Sequence, residues 1–69
     1  MLTFEESRLL ARLRSAGGPL EERQLTDFPA PLRDRVLADL EWRGLVVVLR
    51  AAGGGVAFLT PRGRELTAR

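Results

Sequence analysis

Between residues 32 and 45, Leu32, Val36, Leu37 and Leu40 recur at spacings of three and four, with charged residues and Ala38 between them. This is the apolar stripe of an amphipathic helix, and the spacing predicts one from Pro31 to Arg43. Pro31 suits the first helical position, where its missing N–H is harmless. Ala30 precedes a proline and is pushed away from the helical region. Gly44 ends the helix, since glycine takes the left-handed cap without a Cβ penalty, and Leu45 then plugs the core. The apolar runs Val46–Arg50 and Val56–Leu59 predict two strands. Ala51–Gly55 joins them as the glycine-rich tip of a hairpin.

The rest of the chain is punctuated in the same way. Thr3–Ala16 reads as a first helix, with Thr3 as N-cap and Glu6 completing a capping box. Glu5 and Glu6 lie in its first turn, where the helix dipole favours negative charge. Leu9, Leu10, Leu13 and Ala16 face one way, and Arg8, Arg12 and Arg14 project elsewhere. Gly17-Gly18 ends this helix and Pro19 prevents its resumption. Pro19-Leu20 is a short extended link. Glu21–Asp27 is predicted as a short second helix burying Leu25, with Leu20 and Phe28 also pointing inward. Phe28–Pro31 is the turn into the long amphipathic helix. Thr60 caps a last short helix with Pro61 at its first position, Gly63 at a close backbone approach and Leu66 as its large apolar anchor.

Composition narrows the possibilities. The chain of 69 residues, 45% of them hydrophobic, has room for a single domain with one core and lies near the lower limit of independent stability. A homodimer or a protein partner would help it. There is no histidine and no cysteine, which removes the commonest general base, the commonest metal ligand and any disulfide framework. With tyrosine also absent, an enzyme is not expected. The carboxylates fall mainly at helix ends and on exposed faces, and no spacing suggests a metal site. Gly53–Gly55 lies inside a hairpin, not between a strand and a helix, and so is no phosphate-binding loop. No cofactor is implied. No apolar run approaches the roughly 18 residues of a membrane span and no signal peptide opens the chain, so a cytoplasmic protein is expected. The pI of about 11.0 accompanies a net charge of only +2, because every basic residue is an arginine and arginine titrates very high. The position of each arginine therefore matters more than their sum.

Two motifs add a family resemblance. Leu40-Glu41-Trp42-Arg43-Gly44-Leu45-Val46 resembles the recognition-helix exit of winged helix-turn-helix domains. Leu59-Thr60-Pro61-Arg62-Gly63-Arg64-Glu65-Leu66 resembles the "LTxxGxxL" run that follows the wing in bacterial regulators of the MarR and PadR type. The element order fits nearly the whole chain, although the long extra helices by which the larger regulators dimerise are missing. The resemblance implies an α+β winged helix-turn-helix fold: three helices, a β-hairpin wing and a short C-terminal helix, with a minimal third strand often added to the hairpin at the position of Pro19-Leu20. It also implies a small transcriptional regulator or accessory protein that binds double-stranded DNA, with the 31–43 helix in the major groove and the wing on the backbone or in the minor groove.

Stepping about 100° per residue places Asp34, Arg35, Ala38, Glu41 and Trp42 opposite the apolar stripe. Arg33 and Arg35 are then the candidates for base or phosphate contacts, since the planar guanidinium fork matches guanine edges and phosphates. Arg50, Arg62 and Arg64 are candidate phosphate contacts, and Arg8, Arg12 and Arg14 would extend the basic surface if the first helix faces the duplex.

A blander reading stands beside this one. Asp34 and Glu41 would be repelled by phosphates, Arg35 and Asp39 are spaced to pair with each other, and the wing tip carries no charge. Trp42 is either covered by the wing or the last helix, or anchors a protein contact or homodimer together with Ala38. Phe4 falls off the main stripe and either joins a dimer contact or covers the domain end. The alternative function is therefore a protein-interaction module using the Ala38/Trp42 face.

Overall fold

The computed structural model describes residues 1–68, an α+β fold of three α-helices and a three-stranded antiparallel sheet. Helix α1 spans Phe4–Ala16. Its capping box forms as expected: the Glu6 N–H donates to Thr3 Oγ1 at 3.1 Å and the Thr3 N–H to Glu6 Oε1 at 2.7 Å. Gly17 closes the helix at φ +70°. Leu9, Leu10 and Leu13 are buried, but Ala16 is exposed; the stripe ends one turn earlier than the spacing predicts.

Strand β1 is Leu20–Glu21, the minimal third strand. The predicted Glu21–Asp27 helix is replaced by one 3-10 turn, Glu22–Gln24. Leu20 and Glu21 are drawn into pairing with the sheet, and Leu25 leaves the helical region at φ −87°, ψ +60°. Burying Leu25 and Phe28, three residues apart, needs no more than this turn. The Glu21 N–H is satisfied by Gln24 Oε1 at 2.9 Å.

Helix α2 is Ala30–Trp42. It begins one residue earlier than predicted, with Ala30 inside it and Pro31 at its second position. The first four helical N–H groups have no intrahelical partner, so proline is as harmless there as at the first position. The Arg33 N–H closes the first turn onto the Pro29 carbonyl at 2.9 Å. Val36, Leu37 and Leu40 are buried and Leu32 packs on their edge. Gly44, at φ +75°, reverses the chain into β2.

Strands β2 (Val46–Ala51) and β3 (Gly54–Leu59) form the hairpin. Pairing runs without a bulge from Val46↔Leu59 to Ala51↔Gly54, so only Ala52 and Gly53 remain as the connection and the tip is shorter than the five residues expected. Gly54, at φ +124°, continues the ladder where a side chain would be strained. The sheet order is β1-β3-β2. Val46, Val48, Ala57 and Leu59 face the core, and Val47, Leu49, Val56 and Phe58 form the less buried outer face.

Helix α3 is Pro61–Thr67. Thr60 Oγ1 accepts from the Gly63 N–H at 3.0 Å and donates to the Gly44 carbonyl at 2.7 Å. One hydroxyl thus caps α3 and ties it to the exit of α2. Gly63 is buried, and a Cβ there would collide with the Leu45 carbonyl. This backbone contact anchors α3, whereas Leu66, the expected anchor, is 40% exposed. The core is a single cluster drawn from α1, α2, β2 and β3 together with Leu25, Phe28 and Leu45, and Leu20 of β1 packs on its edge. Among the described residues no helix is long and apolar enough to cross a membrane.

Candidate nucleic-acid interface

With Val36, Leu37 and Leu40 turned into the core, α2 leaves Asp34, Arg35, Ala38, Asp39, Glu41 and Trp42 exposed. Trp42 retains 91% of its surface. Neither the hairpin nor α3 covers it, because α2 ends there and the chain reverses beneath its other side at Gly44. The covered reading of Trp42 is thereby overturned. Ala38, one turn earlier, lies on the same open face.

The hairpin meets this helix at one charged point. Arg50 belongs to the same face of β2 as Val46 and Val48, the face directed at α2, and its cross-strand neighbour is Gly55, which has no side chain. Arg50 Nη1 lies 3.8 Å from Glu41 Oε1 across the seam between β2 and the last turn of α2. Both groups keep substantial solvent access.

The two arginines predicted on α2 separate sharply. Arg33 does not project into solvent: its side chain is 19% exposed and Nη1 donates to the Glu22 carbonyl at 3.1 Å. The 3-10 turn is short enough to bring the Glu22 carbonyl, which also accepts from the Leu25 N–H at 3.0 Å, against the start of α2, and its second lone pair draws the guanidinium inward. Asp34 lies 3.9 Å from its Nε. Arg35, by contrast, is exposed and has no carboxylate within ion-pair distance among the described residues. The pairing of Arg35 with Asp39 that their spacing allows is not formed.

The remaining arginines are distributed around the molecule. Arg62 lines a groove with Met1, Leu2, Arg43, Leu45 and Leu66. Arg64 lines a different cleft at the C-terminal end of α1, with Arg14, Gly17, Gly18 and Phe58. The five arginines expected to contact DNA therefore do not gather on one face; Arg35 lies on the exposed face of α2 and Arg50 at the seam between the hairpin and the last turn of α2.

The α1 arginines act as clamps. Arg8 lies between the rings of Phe4 and Phe28, 5.6 and 5.1 Å from their centroids, and 3.8 Å from Asp27. Arg12 donates to the Gln24 carbonyl and Arg14 to the Arg64 carbonyl. Phe4 is exposed yet stacked on Arg8, so it finishes the α1 edge and does not adjoin Trp42 through any of these contacts.

One interaction has no counterpart in the sequence reading. Glu6 is buried, and its Oε2 lies 3.7 Å from Arg43 Nε, while Arg43 Nη1 donates to the Met1 carbonyl at 3.2 Å. Only one carboxylate oxygen of Glu6 is used by the capping box, and an inward-facing carboxylate attracts the nearest arginine. Arg43 is thereby turned away from the exposed face of α2. The capping box marks Glu6 as structural, but nothing in the local spacing connects it to a residue 37 positions on.

Comparison with family models, with curated proteins and with solved structures finds no match to this chain.

Proposed function

We propose that the chain is a double-stranded-DNA-binding module with winged helix-turn-helix architecture. In this reading the 3-10 turn and α2 form the helix-turn-helix and the β2–β3 hairpin is the wing. The observation that carries it is the pairing of an uncovered helix face, bearing the free Arg35, with a hairpin whose single charged residue, Arg50, lies at the seam with that helix. A helix and a β-ribbon side by side match the dimensions of a major groove and its adjoining backbone. Arg35 reaches a base edge or a phosphate and Arg50 a phosphate. Arg33 holds the 3-10 turn against α2 and acts on DNA only through that packing. Arg62 and Arg64, set in other grooves, lie outside the contact surface. A small intracellular regulator or accessory DNA-binding protein is the role that suits such a module.

The exposure of Trp42 favours a second reading, a protein contact or homodimer through Ala38 and Trp42, since a tryptophan left open is a typical interface anchor. One experiment separates the two: binding of a short labelled duplex by wild type, Arg35→Ala and Trp42→Ala at low salt, with the oligomeric state recorded in the same buffer. DNA binding predicts micromolar or tighter affinity that falls by about five- to hundredfold in Arg35→Ala, as loss of about 1–3 kcal/mol at a guanidinium contact implies. No duplex binding, together with a self-association lost in Trp42→Ala, would transfer the assignment to the protein-contact reading.

A further inference from the structure

Arg50 is the only charged residue between Val46 and Leu59, so the cationic character of the whole hairpin rests on one guanidinium. In the free protein that guanidinium faces Glu41 at 3.8 Å. Across the strand its neighbour is Gly55, which has no side chain and lies against the Glu22 carboxyl group; among the described residues Glu41 alone is within ion-pair distance of Arg50. The pair is solvent-exposed, with 57% of the arginine side chain and 41% of the glutamate side chain accessible. Exposed pairs of this kind are weak and readily exchanged. A backbone phosphate presents the same kind of oxygen acceptor to a guanidinium, within the strong field of a polyanion.

We propose that Glu41 is an affinity-setting latch: it holds Arg50 at the α2–hairpin seam, and DNA engages the hairpin only by taking Arg50 from it. The inference rests on the DNA-binding reading. Duplex binding must break the Glu41–Arg50 pair, so Glu41 lowers affinity in two ways. It is a competing partner for Arg50, and once released it is a carboxylate near phosphates. The first effect depends on Arg50 and the second does not, which makes the latch separable from simple charge repulsion.

The test is a double-mutant cycle on duplex affinity, using wild type, Glu41→Gln, Arg50→Ala and the double variant. Asp39→Asn, alone and with Arg50→Ala, is the control: it removes the same charge from the same helix, and Asp39 has no ion-pair partner among the described residues. All of these side chains are exposed, and coincident unfolding midpoints verify that the fold is retained. The latch predicts that Glu41→Gln tightens binding about two- to fivefold. It also predicts that Arg50→Ala weakens binding by a larger factor in the Glu41→Gln background than in wild type, because the repulsive contribution cancels around the cycle and only the broken pair remains. In the Asp39→Asn background the Arg50→Ala factor equals that in wild type. Equal Arg50→Ala factors with and without Glu41, while wild type binds duplex, would overturn the latch and leave the DNA-binding reading standing. Absence of duplex binding by both wild type and Glu41→Gln would overturn both.

Discussion

Arg33 and Arg35 are two positions apart on one helix and carry the same side chain, yet their environments oppose each other. Arg33 is mostly buried and bonded to the Glu22 carbonyl, and Arg35 stands in solvent. The Glu22 carbonyl keeps the Leu25 N–H as a donor at 3.0 Å, so removing the guanidinium costs one charge-assisted hydrogen bond and the packing of the arginine stem. Arg33→Ala is therefore expected to lower stability by about 1–2 kcal/mol, and Arg35→Ala to change it by less than about 0.5 kcal/mol. Urea or thermal unfolding of the two variants checks this, with about 4–8 °C per kcal/mol expected for a domain of this size. Any loss of DNA affinity in Arg33→Ala should then follow its loss of folded protein, whereas in Arg35→Ala it should not.

At the scale of elements, the chain is held together where α2, the hairpin and α3 meet. Thr60 bonds both the Gly44 carbonyl and the Gly63 N–H, and the Gly63 backbone lies against Leu45. Alanine is the better helix former by up to about 1 kcal/mol, so propensity alone would make Gly63→Ala stabilising. The collision of its Cβ with a backbone carbonyl reverses that sign. Gly63→Ala is expected to destabilise by about 1–3 kcal/mol, as overpacking does, and an unfolding midpoint equal to or above that of wild type would show that α3 is free to move.

Much of this level was legible in the sequence. The α1 capping box, the Gly17 and Gly44 stops, the Leu32–Leu40 stripe and the Thr60 cap each depend on residues within a few positions of one another, and each appears where the pattern places it. The expected second helix does not form because its fate depends on β1 pairing with β3, a contact across more than 30 positions. The hairpin tip is shorter than the pattern predicts because glycines at positions 54 and 55 look like loop residues but continue the ladder. The same limit applies to the candidate site. Helical spacing identified the open face of Ala38 and Trp42, but Arg33 turning to Glu22, Arg43 turning to Glu6 and Arg50 reaching Glu41 are tertiary events. Each depends on which partner the fold brings within reach of a long, flexible side chain.

For the whole molecule, the net charge of +2 conceals a division among the arginines. Arg8, Arg23, Arg33, Arg43 and Arg50 each have a carboxylate within 4 Å. Among the described residues this leaves Arg35, on the open face of α2, without a carboxylate partner, and Arg50, at the hairpin seam, exchangeable. A surface with so few available cations releases few counterions on binding a duplex, so its affinity should fall with salt by only about 0.9 log units per log unit of salt for each phosphate engaged. The most direct measurement is the salt dependence of duplex binding by wild type beside that of Arg35→Ala. If Arg35 engages a phosphate, log affinity declines linearly with log salt, and in Arg35→Ala the affinity is lower and the line shallower by about 0.9; if it reads a base edge, affinity drops while the slope holds. A wild-type affinity indifferent to salt, or an Arg35→Ala line superimposed on that of wild type, would contradict the placement of DNA on this face.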